Sequence, residues 1–554
     1  MNFFTKNKMY ILLFVIICIA AFLRLYRLNE IPALNADEAS LGYNAYSLIK
    51  TGKDEHGNAW PLYFQSFNDY KPGLTVYLIL PMVYFFGLTE WSVRFLPALI
   101  GVLTIPALYF LAKELVKGYK STYVAHYMPL VAALVLAVSP WHIHFSRGAW
   151  EVNIATFFMV MGSLLFLRIR EHPRSLIGSI FFFVLALYTY HAARIVAPLL
   201  GFSLSFFYYK DLIRAKRNTF FAIIVGFALC IPLVLSLKGP AGLARAGGVA
   251  IWSDSGPENR VNELRGDYAN MNGIIPKILH NKPVAYTLAV LENWSKHYWG
   301  EFLFLSGDDI QRNKVPETGQ MHLIELAFVT FGMFKILQKF NKKWGFVLFW
   351  LLIAPIPAAI TFQSPHALRA ESMVIPLSLI AAFGLVALLE LLSSVTFLKK
   401  VATLLTIVIF TFYTISIFRY VHLYYVHMTK EYPFSSQYGV KELVSVIGPI
   451  HNNYAHVIIT DRYDQPYILF LFYMKYDPAS FQKDHTITNR DLYGFSTVRS
   501  FANFRFESIH FVEFRDQYPN SLIIGTDQEI PESSNRKQDI YGSNGYRYFR
   551  IVQN

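Results

Sequence analysis

The sequence predicts a polytopic α-helical membrane protein of about eleven transmembrane helices, followed by an α/β domain outside the membrane. Three observations predict it. Apolar runs of about twenty residues recur through the first three quarters of the chain, the length needed to cross a hydrocarbon core of roughly 30 Å. The 554 residues are 54% hydrophobic and 17% aromatic but only 16% charged, against about a quarter charged in a soluble domain, so polar surface for soluble domains of this length is lacking. Lys and Arg fall in short clusters between the apolar runs, as they do in cytoplasmic loops.

The third observation also accounts for the net charge of +13. In a soluble chain such a charge would suggest nucleic acid; here the partners expected are membrane lipids, and no nucleic acid. Cys18 and Cys230 each lie inside an apolar run, where they read as small hydrophobes and not as a disulfide or metal motif. Met9–Leu23, after Lys6 and Lys8, reads as an uncleaved first span, because Arg24 and Arg27 follow it directly without a small-residue cleavage pattern.

With the amino terminus in the cytoplasm, the first span (about 9–28) delivers 29–71 to the outside. Leu74–Phe86, preceded by Pro72 and Gly73, is short and apolar. A full crossing there would put Lys113, Lys117 and Lys120 outside, so it reads as a half-inserted helix against the membrane. Further spans follow at about 93–112, 124–144, 151–167, 176–190, 195–209, 218–237, 321–337, 344–362, 372–392 and 401–420. The turns carrying Arg168, Arg170 and Arg174, then Lys210 to Arg217, Lys335 to Lys343, and Lys399 with Lys400 then all stay inside. The carboxy terminus lies outside. Two domains result: 1–429 in the membrane, with an outer loop at 29–92, and an outer α/β domain at 430–554. Short β-rich runs at Val457–Thr460, Ile509–Phe514, Leu522–Gly525 and Tyr546–Val552 mark the second.

Under this threading the polar residues at helix ends gather on the outer side: Asp37, Glu38, Asp69, Lys71, Arg94, Arg147, Glu151, His191, Arg194, His366, Arg369 and Glu371. Ionisable groups close to lipid are costly and tend to mark function. Several share helical-face spacing, namely Arg147 with Glu151, His191 with Arg194, and His366 with Arg369. Asn35-Ala36-Asp37-Glu38 follows the first span. Its carboxylates suit the cap and first turn of a helix, and equally the removal of a proton from an acceptor hydroxyl as it attacks a sugar carbon. Lys71, ahead of the half-inserted helix, can reach a lipid phosphate, and arginines from other helices can stabilise the charge on a departing phosphate. No ligand spacing argues for a metal site; a divalent ion would rest only on the abundance of His and acidic residues outside.

The order Asp37-Glu38, then Lys71-Pro72-Gly73-Leu74, then Trp91-Ser92-Val93-Arg94-Phe95-Leu96-Pro97 resembles the GT-C class of membrane glycosyltransferases. It is similar above all to the protein O-mannosyltransferases (glycosyltransferase family 39) and the bacterial aminoarabinose transferases that modify lipid A. Ser146-Arg147-Gly148 and Pro365-His366-Ala367-Leu368-Arg369 also look like that group. The resemblance implies a polyprenyl-phosphate sugar donor, inversion at the anomeric carbon and a site under the first outer loop. It gives Asp37 the place of the catalytic acid with Glu38 beside it, and Lys71 that of the residue contacting lipid phosphate. Arg94 and Arg147 match arginines that line the site or hold its shape. Gly73 stands where a second proline is usual, and Tyr70 where relatives have His or Glu, which leaves Asp69 as the candidate second acid.

The function expected is therefore transfer of a sugar from a polyprenyl-phosphate donor to a glycan, lipid or protein hydroxyl at the outer face of a bacterial plasma membrane, with the donor phosphate on Lys71 and Arg369 and with Arg194 as a further contact. Glu151, His191 and His366 complete the expected substrate site. The alternatives are a lipid-linked glycan transporter, which predicts ionisable groups near the midplane, and a ligase or polymerase moving a whole glycan.

Overall fold

The computed structural model describes residues 3–67, 69–236, 250–394, 399–431, 435, 437–489 and 496–554. The chain divides into two compact units, Met1–Arg24, Leu99–Ser146 and Glu151–Tyr420 in one, and Leu25–Ala98, Arg147–Trp150 and Val421–Asn554 in the other. That division departs from a boundary at residue 430, since residues 29–92, expected as an outer loop, and the tail fall in the same unit.

The first unit is helical. Six helices among the described residues are long and apolar enough to cross a membrane: Lys8–Leu25, Glu90–Val116, Lys216–Ser236, Lys342–Ala359, Ala367–Ser394 and Thr403–Glu431. A seventh arises if Thr122–Val138 and Pro140–Arg147, bent by 55°, form one span. The bend has a local cause, because Ser139 precedes a proline and is extended (φ −60°, ψ 124°), as the proline ring demands of its neighbour. Three more of the expected spans are shorter apolar helices, Glu151–Leu167, Ser175–Thr189 and Ala193–Phe207, and Glu325–Gln338 has 14 residues. Length and apolarity thus support six or seven crossings.

The basic turns of this unit meet. Lys343 donates to the carbonyls of Glu114 (2.8 Å) and Lys117 (2.7 Å), Arg168 to Glu114 (3.2 Å), and Arg170 and Lys342 to Asp211 (2.8 and 3.4 Å). Turns far apart in sequence therefore share one end of the helical unit, as they must if all face the same side of a bilayer.

The second unit is built around a helix, α2 (Ala36–Thr51), which follows α1 (Phe3–Leu25). Asn35 caps α2 in a capping box with Glu38, and Gly52 ends it in the left-handed region (φ 68°). A hairpin follows, β1 (Tyr63–Ser66) and β2 (Asp69–Pro72), in the register Phe64 opposite Lys71. Then come α3 (Leu74–Phe86) and the start of α4 (Glu90–Val116). The 13 residues of α3 end in exposed Tyr84, Phe85 and Phe86.

The tail carries a seven-stranded sheet in the order β4-β5-β6-β3-β7-β9-β8. The strands are β3 (His456–Ile459), β4 (His485–Ile487), β5 (Val498–Phe501), β6 (Phe504–Phe506), β7 (Ser521–Gly525), β8 (Arg536–Tyr541) and β9 (Arg547–Gln553). β3 runs parallel to β6 and β7 while the remaining pairs are antiparallel. Three of the expected strands match β3, β7 and β9. The run Ile509–Phe514 does not, for it enters a helix, Phe511–Gln517. Phe511, Phe514 and Tyr518 recur at helical spacing and are all buried, so period 3.6 prevails over β-propensity.

One apolar core joins sheet and loop. It takes Ala39, Tyr43 and Leu48 from α2, Val76 and Ile79 from α3, Val93 from α4 and Ala149, together with Phe470, Phe472, Phe504 and Ile524 of the tail. At Gly42 a Cβ would lie 2.6 Å from Val93 Cγ2 and 2.7 Å from the Phe472 ring, so only glycine lets α2 pass between them.

Candidate active site

Asp37 sits in the first turn of α2, and Lys71 in β2 donates to its Oδ1 at 2.6 Å. The partners differ in exposure: the Lys71 side chain is 8% accessible and that of Asp37 is 30%. A nearly buried ammonium is thus held against a carboxylate that still meets solvent. Lys71 also lies over the Phe67 ring, 5.3 Å from its centroid.

The hairpin is also fixed to α2 through Ser66, whose hydroxyl hydrogen-bonds that of Ser40 and accepts from Asn44 Nδ2 at 3.5 Å. Gly73, the departure from the Pro pattern, has a structural reason. Its N–H donates to the Leu62 carbonyl at 3.0 Å, which a proline could not do, and a Cβ there would lie 2.8 Å from that same oxygen.

Glu38, next to Asp37, has a different environment. It is 1% exposed and receives both Arg94 Nε (2.7 Å) and Nη2 (2.6 Å), a bidentate pair. Its oxygens also accept from the backbone N–H groups of Asn35 (3.3 Å) and Ala149 (3.0 Å) and from Asn35 Nδ2 (3.1 Å). The remaining N–H groups of Arg94 go to the carbonyls of Leu28, Pro32 and Ala33 at 2.8–3.0 Å. Carboxylate and guanidinium saturate one another, so the expected catalytic Glu38 and site-lining Arg94 form a buried brace that sets the start of α2.

Arg147 braces the same unit. It donates to the Ile31 carbonyl at 3.0 Å and stacks 5.1 and 5.0 Å from the Tyr424 and Tyr425 rings. Its i,i+4 spacing with Glu151 is not a helical face, because one helix ends at Arg147 and another begins at Glu151. The backbone of Asp69 opens β2; its side chain lies outside the described residues.

Beyond the hairpin, Glu55 is fully buried and accepts from Tyr467 at 3.3 Å, and its Oε1 lies 3.4 Å from His56 Nε2. His56 Nδ1 meets His485 Nε2 at 3.2 Å. Burial alone would lower the His56 imidazole, but the hydrogen bond and charge of Glu55 outweigh it and hold it above its ordinary value. Burial, aided by His56, keeps His485 below its own.

The other candidates belong to the helical unit. Glu151 is buried at the start of its helix. Arg194 Nη1 lies 3.2 Å from His191 Nδ1, and its Nε donates to the Leu187 carbonyl at 3.2 Å, so this pair comes together as its spacing implies. Arg369 Nη1 donates to Thr361 Oγ1 at 2.6 Å. The His366 ring is within 3.5 Å of Asn313 Nδ2, and its backbone N–H donates to His297 Nε2 at 3.1 Å. His297 Nδ1 in turn lies 2.9 Å from the Asn293 carbonyl. Burial pushes His297 down to about 4. Asp308 accepts from the backbone of Ala367 (2.6 Å) and Ile310 (2.9 Å) and from Asn313 (3.0 Å), and burial raises its carboxyl against those donors. Glu371 is buried and accepts from Thr156. His297, Asp308 and Asn313 carry no signal of this role in the sequence. They sit in a long polar stretch without periodicity, and nothing local sets them apart. Among the described residues, no three His, Cys, Asp or Glu side chains gather as metal ligands.

Residues 14–189 match the family model of dolichyl-phosphate-mannose-protein mannosyltransferase. No curated protein matches the chain by sequence. Among solved structures, the chain is similar to ArnT from Cupriavidus metallidurans in the apo state, at 9% identity and a TM-score of 0.51 over 99% of this chain and 98% of that one. It is similar to the same protein bound to undecaprenyl phosphate, at 10% identity and a TM-score of 0.51 over 97% of each. A third likeness is the Archaeoglobus fulgidus oligosaccharyltransferase in complex with zinc and sulfate, at 13% identity and a TM-score of 0.50. That match takes in 84% of this chain and only 61% of the length of the archaeal protein. The chain thus shares its fold with ArnT and with the archaeal oligosaccharyltransferase.

Proposed function

We propose that the protein is an inverting glycosyltransferase that moves a sugar from a polyprenyl-phosphate donor to an acceptor hydroxyl at the outer face of the membrane. The observation that carries this reading is the Lys71–Asp37 pair, 2.6 Å apart, in a chain with a mannosyltransferase family match and the fold of a protein that binds undecaprenyl phosphate. Asp37 accepts the acceptor proton as its oxygen bonds to the anomeric carbon. The bond from that carbon to the phosphate oxygen breaks on the opposite face, and Lys71 neutralises the departing polyprenyl phosphate. A leaving group neutralised in this way needs no protonation, unlike that of a glycoside hydrolase with two carboxylates. Glu38 and Arg94 hold the start of α2 so that Asp37 keeps its place.

The test incubates purified protein with polyprenyl-phosphate hexoses and pentoses labelled in the sugar and measures release of the lipid phosphate. Release that depends on Asp37 and leaves an inverted product supports the reading. Retention at the anomeric carbon, or translocation of intact donor without release, rejects it. The likeness to the oligosaccharyltransferase favours a second reading, transfer of a whole glycan. Turnover of a lipid-diphosphate glycan in place of the monosaccharide donors would establish that one.

A further inference from the structure

The basic end of the helical unit holds a cavity of about 600 Å³ between the turn after α4, the helix Glu325–Gln338 and the helix Val374–Ser394. These two helices first touch backbone to backbone: a Cβ on Gly332 would lie 2.3 Å from the Ile380 carbonyl, and one on Gly384 would overlap the Phe328 carbonyl. The cavity lies beyond that contact, lined by Lys335 and Lys339 on one helix, by Phe383, Glu390 and Leu391 on the other, and by Lys120 of the turn. Its volume is that of an ordinary small-molecule site, about 300–1,000 Å³.

Its charges are unbalanced. The ion pairs of this end use Lys117, Arg168, Arg170, Arg214 and Lys342, and among the described residues none uses Lys120, Lys335 or Lys339. Lys335 rests over the Phe331 and Phe334 rings, 5.5 and 5.9 Å from their centroids. The one carboxylate in the wall, Glu390, is already engaged by the Ser121 hydroxyl. Beside Lys335 the Phe334 ring is 53% exposed, and Leu391, in the cavity wall with Val124 and Ala387, is 45% exposed, an apolar surface suited to aliphatic chains. A site with cationic heads and an apolar flank, at the membrane-facing edge of a helical bundle, suits an anionic headgroup with its tails alongside.

We infer that this cavity binds the phosphate headgroup of an anionic amphiphile, with Lys120, Lys335 and Lys339 on the phosphate and the chains against Phe334 and Leu391. The phosphate belongs either to a membrane phospholipid or to a polyprenyl phosphate, and the chemistry recognised is the same. The site uses none of the residues placed at Asp37 and Lys71, so it stands or falls apart from the proposed transfer.

Native mass spectrometry of the full chain, released from nanodiscs of equimolar phosphatidylglycerol and phosphatidylcholine, tests it. Phosphatidylglycerol should be retained at least about tenfold more tightly than phosphatidylcholine. K120Q/K335Q/K339Q should reduce that preference to parity. On the unaltered protein, raising salt should weaken retention of phosphatidylglycerol alone, a readout that does not depend on the variant folding. Displacement of phosphatidylglycerol by equimolar undecaprenyl phosphate would make the carrier the source of the phosphate, and failure to displace it the phospholipid; both outcomes keep the inference. Equal retention of the two phospholipids, an unchanged preference in the triple variant, or displacement by inorganic phosphate at the same concentration overturns it.

Discussion

Asp37 and Glu38 are neighbours in sequence with opposite consequences when changed. Asp37 is partly exposed and paired with one ammonium, so Asp37→Asn removes a proton acceptor while keeping size and a hydrogen bond to Lys71. Transfer should fall by about 10²–10⁴ if general-base catalysis is lost, with the melting temperature little changed, as read by donor turnover and thermal unfolding of one preparation. Glu38→Gln leaves the Arg94 guanidinium without a counter-charge in a site where both side chains are at most 1% exposed. Breaking a buried pair from one side costs about 3–5 kcal/mol. The Glu38 variant should therefore melt lower, and Glu38→Gln with Arg94→Met should recover part of that loss. Lys71→Gln keeps a donor but loses the charge, so inhibition by free polyprenyl phosphate should weaken by about tenfold to a hundredfold, read as the inhibition constant. Equal inhibition of both proteins would take the phosphate off Lys71. The sequence showed that acidic and basic residues would meet here. It could not show which carboxylate is saturated, because that depends on carbonyls from residues 28–33 and an amide at residue 149.

At the scale of elements, the segment 293–367 of the helical unit rests on a histidine that must stay neutral. His297 Nε2 accepts the His366 N–H, so its proton is on Nδ1, toward the Asn293 carbonyl. Its value is about 4 in the fold and near 6.5 when unfolded. Above pH 6.5 both states are neutral and the histidine contributes no pH dependence. As pH falls from about 6.5 toward 4 the unfolded form takes the proton first, and stability is lost across that window. Hydrogen-exchange protection factors at 293–297 and 361–367, taken relative to the intrinsic rate at each pH, should fall between pH 6.5 and 4.5, and His297→Gln should flatten that slope. A slope unchanged in the variant would assign it elsewhere. Helix placement was far more legible than this contact. Spans expected at 151–167, 176–190 and 195–209 coincide within a few residues with Glu151–Leu167, Ser175–Thr189 and Ala193–Phe207, because apolar run length is written locally in the sequence. The His297–His366 link spans 69 residues and leaves no local trace. Ile509–Phe514 misled for the opposite reason, its aromatic content suggesting a strand where the spacing of buried rings makes a helix.

Across the whole molecule, the apolar core that carries α2 is shared between the segment 29–92 and the tail. Composition marks where the chain turns polar, near residue 430, and so suggests a domain boundary; it says nothing about which earlier segment the tail packs on. The core residues of α2 lie among those of the tail. Gly42 has no room for a Cβ beside Phe472, the Tyr43 hydroxyl donates to the Tyr476 carbonyl at 3.1 Å, and the Ala36 N–H donates to Gln437 Oε1 at 2.6 Å. A chain ended after residue 430 would keep the helices long and apolar enough to cross a membrane, the last of them short of one residue, and lose this half of the core. Removing buried aromatic neighbours costs about 3–5 kcal/mol each, more in sum than a single unit of this size can spare. Residues 29–92 should then become sensitive to protease while the helical unit stays resistant, and donor turnover should vanish although Asp37 and Lys71 are both present. A truncated protein whose loop 29–92 resists cleavage like the full chain would mean that α2 and the hairpin are held by the residues before 430 alone, and that the tail has a separate role.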